Sequence, residues 1–278
     1  MKTQSGFGAW RSNARRRFGV AVASLALTAT VLAHDTWILP ERARVKPGEE
    51  ISLDLTSGMA FPANEVAVKP DWLARASLRL AGRLSDLRAG TPGKTALQIR
   101  TLLRRPGIAT VWIESKPRAL ELTPAQVREY LEEIGAWGTI GKKWEAEGSS
   151  RWRETYTKHA KSFVWVGDPA GDDSWREPVG MAFEIVPEKD PTAILNGEEL
   201  SVRLLNDGKP LSDFPVGLLA ASQKSGLLQR TDAEGRMRAR LDRTGWWLVR
   251  ATLLERSSPP RTDWQSRFTT LTVFVRPR

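Results

Sequence analysis

Alternation with a period of two is the feature that most narrows the fold. "EEISLDLTSG" (Glu49–Gly58) sets Ile51, Leu53 and Leu55 against polar neighbours, and "RASLRLAG", "TALQIRTLL" and "IATVWIESK" repeat the pattern. Between them stand "KPGE", "GTPGK" and "RRPG", where Pro and Gly end each run. Successive side chains of a strand point to opposite faces, so this pattern makes half-buried strands joined by turns. It predicts an antiparallel β-sandwich.

The period then changes. "TPAQVREYLEEIG" (Thr123–Gly135) predicts a helix with both ends marked: Thr123 as N-cap, Pro124 at the first helical position, Gln126 completing a capping box, Gly135 as the left-handed stop. Val127, Tyr130, Leu131 and Ile134 form its apolar face. "SRWRETYTKHAKSF" (Ser150–Phe163) reads as a second helix, with Trp152, Tyr156, Ala160 and Phe163 as its stripe. From Gly180 the chain returns to strands, with "NDGKPL", "TDAEGRM" and "DRTG" as turns. The expected organisation is mainly β: an N-terminal sandwich over 34–120, a helical insertion over 121–166 and a C-terminal sandwich over 167–278.

Residues 1–33 have another character. Arg11–Arg17 give a positive start, Phe18–Ala33 is apolar, and Val31 and Ala33 are small residues placed for a cut after Ala33. This is the pattern of a cleavable secretory signal, too short for the ~20 residues of a spanning helix. "RRRF" (Arg15–Phe18) also matches a twin-arginine signal. The expected mature chain begins at His34, is periplasmic or secreted, and has no transmembrane helix.

The formal charge of +10 invites a nucleic-acid reading, but half of it sits in Lys2, Arg11, Arg15, Arg16 and Arg17 of the leader. Beyond it Arg and Lys interleave with Asp and Glu, as on a solvated surface, so no nucleic-acid partner is expected. The chain has no cysteine, which excludes disulfides, zinc–thiolate sites and thiol nucleophiles. It has no G-x-S-x-G, H-E-x-x-H or phosphate-loop motif and only two histidines, so no enzyme is expected and no catalytic residue is assigned.

Those histidines are the candidate metal ligands. A cut before His34 places its imidazole beside a free amine, a chelating pair for one divalent transition ion: nickel, cobalt, copper or zinc. Asp35 could add an oxygen, or hold the chain end. His159 could complete a three-nitrogen set, or be a core histidine that donates a hydrogen bond. Tryptophan is the other anomaly, with 12 in the chain. Trp37, Trp246, Trp247 and Trp264 are candidates for a carbohydrate- or protein-binding surface, packing being the alternative. Adjacent Trp246 and Trp247 on a strand face opposite sides. "GDDSW" and "EKDP" lack the spacing of a calcium loop.

One ordered set of segments carries a resemblance: "AHDTWILP", "KPGE", "VWIESKPRALELTPAQVREYLEEIGA", "YTKHAKSF", "MAFEIVPEKDP", "LSVRLLNDGKPL", "TDAEGRMRARLDRTGWWLVRATLLE" and "DWQSRFTTLTV". Over nearly all of Ala33–Val275 the chain resembles the bacterial exported family of the domain of unknown function 4198, labelled as nickel-uptake (NikM-like) proteins. The resemblance implies an envelope protein with Ig-like and transthyretin-like sandwiches, a nickel or cobalt association, and an inner- or outer-membrane transport component as partner. Residue by residue it reaches His34, Asp35 and Trp37 of "HDTW" and the Trp264 region of "DWQS".

Overall fold

The computed structural model describes residues 34–88, 90–223, 226–257 and 262–278; the signal expected over residues 1–33 lies outside them. The fold is mainly β, as the alternation requires. Among the described residues the strands form three sheets, of five, ten and four strands. The five-stranded sheet is built on Asp35–Pro40, Glu49–Gly58 and Leu97–Leu103, all antiparallel. The four-stranded sheet is built on Phe183–Pro187, Glu199–Asn206 and Arg236–Arg240.

The ten-stranded sheet takes strands from both sides of the helical stretch. Its centre is the long strand Trp152–Val166, paired antiparallel to Gly107–Ser115 on one side. On the other side Trp264–Val275 runs parallel to it, from Glu154 opposite Trp264 to Ser162 opposite Thr272. This departs from the all-antiparallel expectation. The two strands are separated by some hundred residues of sequence, enough for the crossover that parallel pairing needs.

Both faces of this sheet are covered, and the central strand distributes its side chains between them. Ala160, Val164 and Val166 join Ile51, Leu53, Leu97 and Val111 in one core. Phe163 joins Ile185, Val202, Leu218 and Val273 in the other. A third cluster lies where the helix Pro124–Glu133 covers one end of the sheet, with Val127, Tyr130 and Leu131 against Trp152, Trp264 and Phe268. The helix has the predicted ends. The Thr123 amide donates to Gln126 Oε1 at 2.9 Å, and Gly135 takes a φ of 72°. A side chain at Gly135 would also meet Leu228 at 3.0 Å.

The second predicted helix is corrected: Ser150–Phe163 is not helical, and Trp152–Val166 is a strand. Trp152, Tyr156 and Ala160 are four apart, a spacing that satisfies a strand face as well as a helical stripe. A strand covered on both faces also loses the clean alternation that would have separated the two readings. The helical part of the insertion is Pro124–Ala146, in the two α-helices Pro124–Glu133 and Lys142–Ala146 and the π-helical turn between them.

Candidate functional site

The strand geometry decides where the candidate metal ligands stand. His34 is half-buried and precedes the strand Asp35–Pro40. Its carbonyl accepts a hydrogen bond from Nζ of Lys158 on the central strand. Burial lowers the His34 pKa and the Lys158 charge lowers it further, while Glu65 and Asp35 act in the opposite sense.

His159 is the next residue along and points the other way. Its Nδ1 lies 2.9 Å from the Phe268 carbonyl oxygen, on the face where Lys161 meets Glu184. Burial pushes its pKa down. A strand sends residues 158 and 159 to opposite faces, so the structure does not bring His34 and His159 together. Among the described residues no group of three or more His, Asp or Glu side chains is arranged to hold a metal. The donors therefore do not fit the three-nitrogen set; what stands beside His34 is an ammonium group.

Asp35 has a different occupation. Its carboxylate is 2.6 Å from Arg250 Nη1, which is 2.7 Å from Glu133 Oε1. This bridge ties the first described strand, the strand Gly245–Arg256 and the C-terminal end of the helix. Burial works to lower the Arg250 pKa, but the two carboxylates outweigh it and hold it above the ordinary arginine value. Burial raises the Glu133 pKa, against the pull of Arg250.

Of the four tryptophans, three are packing residues. Trp37 is fully buried and meets Phe61 edge-on at 5.5 Å. Trp264 is buried and stacks on Trp152 at 4.4 Å. Trp247 is buried and donates Nε1–H to the Arg243 carbonyl at 3.0 Å. Trp246 takes the other face of the strand, half-buried, with its ring 5.0 Å from Phe274 at 70°.

That aromatic pair lines an open groove of about 530 Å³, together with Glu41, Arg42, Arg44, Thr192 and Arg276. Such a volume falls within the range of small-ligand clefts. Arg42 is paired with Glu49. Arg44 and Arg276 make no ion pair among the described residues, which include every Asp and Glu of the sequence. Arg44 lies 4.1 Å over the Trp165 ring, and its pKa is lowered by burial and then by Arg276, against the pull of Asp190. Nε of Arg276 is buried without a hydrogen-bond partner. These arginines come from distant segments, and the mixed charge of each segment gives no sign that they converge.

The comparisons with known proteins point mainly to family. No curated protein matches the chain. Among solved structures, a DUF4785 family protein from Legionella pneumophila is 7% identical over 76% of this chain and 50% of its own, with a TM-score of 0.24. A Ca²⁺-stabilized adhesin of an ice-binding Antarctic bacterium is 9% identical over 88% of this chain and 49% of its own, with a TM-score of 0.24. An ICAM-5 ectodomain fragment is 13% identical over 87% of this chain and 51% of its own, with a TM-score of 0.22. The chain spans about half the length of each, and at these scores none bears on ligand or activity. The family model described as Domain of unknown function (DUF4198) matches residues 31–255, and the chain belongs to that family.

Proposed function

We propose that this chain is an exported, non-enzymatic binding module of the cell envelope, and that it holds an acidic carbohydrate in the Trp246 groove. The observation that carries the reading is the pairing of an aromatic edge with two arginines that make no ion pair among the described residues. Trp246 and Phe274 offer the apolar surface on which a sugar ring can stack. Arg44 and Arg276 repel one another and neither makes an ion pair among the described residues, although Glu41 also lines the groove and Asp190 acts on Arg44 from beyond ion-pair distance. A uronate or other acidic substituent would relieve that repulsion through charge-assisted, two-pronged hydrogen bonds. The leader pattern of residues 1–33 supports export, and no helix among the described residues is long and apolar enough to cross a membrane.

The full chain is expressed with its leader, its N-terminus is read by intact mass, and it is titrated calorimetrically with uronate oligosaccharides and neutral oligosaccharides of equal length. Preferential binding of the acidic series, weakened about tenfold by Trp246→Ala and by Arg276→Gln, is the expected result. Equal affinity for both series, or an affinity that neither substitution changes, would refute the assignment.

A further inference from the structure

A second site lies under the first strand, independent of the groove. Lys158, Arg118, Thr36, Ser57, Ser115 and Tyr156 line a small chamber closed on its apolar side by Trp72 and Ile113. It is a buried place with two cations and no acid. Lys158 is 9% exposed, and its ammonium spends one of three donors on the His34 carbonyl. Its other near neighbours are the faces of Tyr156 and Phe268, at 5.6 and 5.7 Å. The Arg118 guanidinium lies 3.6 Å over the Trp72 ring, with Nε buried and unpartnered.

Neither cation forms an ion pair among the described residues, and these include every Asp and Glu of the chain. The carboxylate that acts on Lys158 is that of Asp35, already engaged by Arg250 at 2.6 Å. Water can supply acceptors here but not the missing charge, and a buried cation without a partner is costly. The hydroxyls add polarity without charge: Thr36 and Ser57 share a 2.6 Å hydrogen bond, and Ser115 Oγ accepts the Lys158 amide at 2.8 Å.

The geometry points to a binding site for a small planar oxyanion, the O–C–O head of a carboxylate or of bicarbonate, held between Lys158 and Arg118. The space is about 30 Å³, room for roughly two water molecules and so for that head with little attached. The occupant is therefore small: formate or bicarbonate, or acetate with its methyl toward Trp72 and Ile113. An aromatic acid is too large.

The test is ¹³C NMR titration of the full chain with labelled formate, acetate, bicarbonate and benzoate at constant ionic strength and neutral pH. Saturable binding of one or more of the first three is expected, with none for benzoate, and the strongest of the three separates a carboxylate from a carbonate ligand. Arg118→Gln, on a partly exposed side chain, and Lys158→Met should each weaken that binding about tenfold, the ratio expected for a lost charge-assisted contact. Titrations that are the same in wild type and Arg118→Gln, or benzoate binding as well as formate, would overturn the site. Because these residues lie outside the Trp246 groove, failure here leaves the carbohydrate reading standing, and the reverse also holds.

Discussion

Lys158→Met should make this protein more stable near neutral pH. Burial pulls the ammonium pKa from 10.5 down to about 8; Asp35 opposes this and Arg118 adds to it, while the facing His34 contributes its carbonyl. That drop corresponds to roughly 3 kcal/mol by which the charged lysine penalises the folded state below pH 8. Methionine fills the same space without the charge. It forfeits the hydrogen bond from the charged ammonium to His34, worth about 2 kcal/mol. The net gain is about 1 kcal/mol, a rise in Tm of about 2–4 °C for a domain of this size.

The sign fixes the pH profile. Between about 8 and 10.5 the unfolded chain binds the proton that the folded chain has released, so wild-type stability rises with pH across that window. The variant's advantage shrinks over the same range and ends as a small deficit. Urea unfolding at pH 7, 9 and 10.5, in buffers without carboxylate or carbonate, measures this directly. A variant less stable than wild type at pH 7, or an advantage that does not change with pH, refutes the picture of an uncompensated buried ammonium.

Three further outcomes follow from the geometry. Lys161→Met strands the Glu184 carboxylate, which also accepts the amides of Val179, Gly180 and Met181, and should cost roughly 3–5 kcal/mol in denaturant titration. Adding Glu184→Gln should restore most of that loss, and a cycle with no coupling would count against the pair. Thr123→Ala removes the hydroxyl half of the capping box and should cost about 1 kcal/mol, with faster hydrogen exchange confined to Pro124–Glu133. Any nickel or copper uptake by protein beginning at His34 should vanish when one alanine precedes it and survive His159→Gln; loss on His159→Gln would mean that the two rings meet after all.

The helix Pro124–Glu133 was legible because its signals are local: a cap, a proline, a periodic face and a glycine stop within a dozen residues. The strands with one wet face, such as Glu49–Gly58, were legible for the same reason. The central strand was not, because tertiary cover on both sides buries Glu154, Lys158, His159 and Lys161 alike and removes the pattern a strand normally shows. That misreading carried into the site: on a helix His159 joins the apolar stripe, whereas on a strand it is turned away from Lys158 and from His34. The tryptophans divided by parity as expected at 246 and 247, but which face stays open depends on what packs there. Arg44, Arg118 and Arg276 looked like ordinary surface charges, since the convergence of Arg44 with Arg276, and of Arg118 with Lys158, arises from pairings between distant segments.

The parallel pairing of Trp152–Val166 with Trp264–Val275 also sets an order on biosynthesis. Until residues 264–275 have been made, the strand Trp152–Val166 lacks its parallel partner, and Gly245–Arg256 is paired among the described strands only with Pro215–Ala220, leaving its other edge bare. A chain that has not yet made that segment is incompletely folded, and a product ending before Trp264 presents an open edge that recruits other chains. Completion of the ten-stranded sheet is thus length-dependent: it waits on a strand made about a hundred residues after the one it closes.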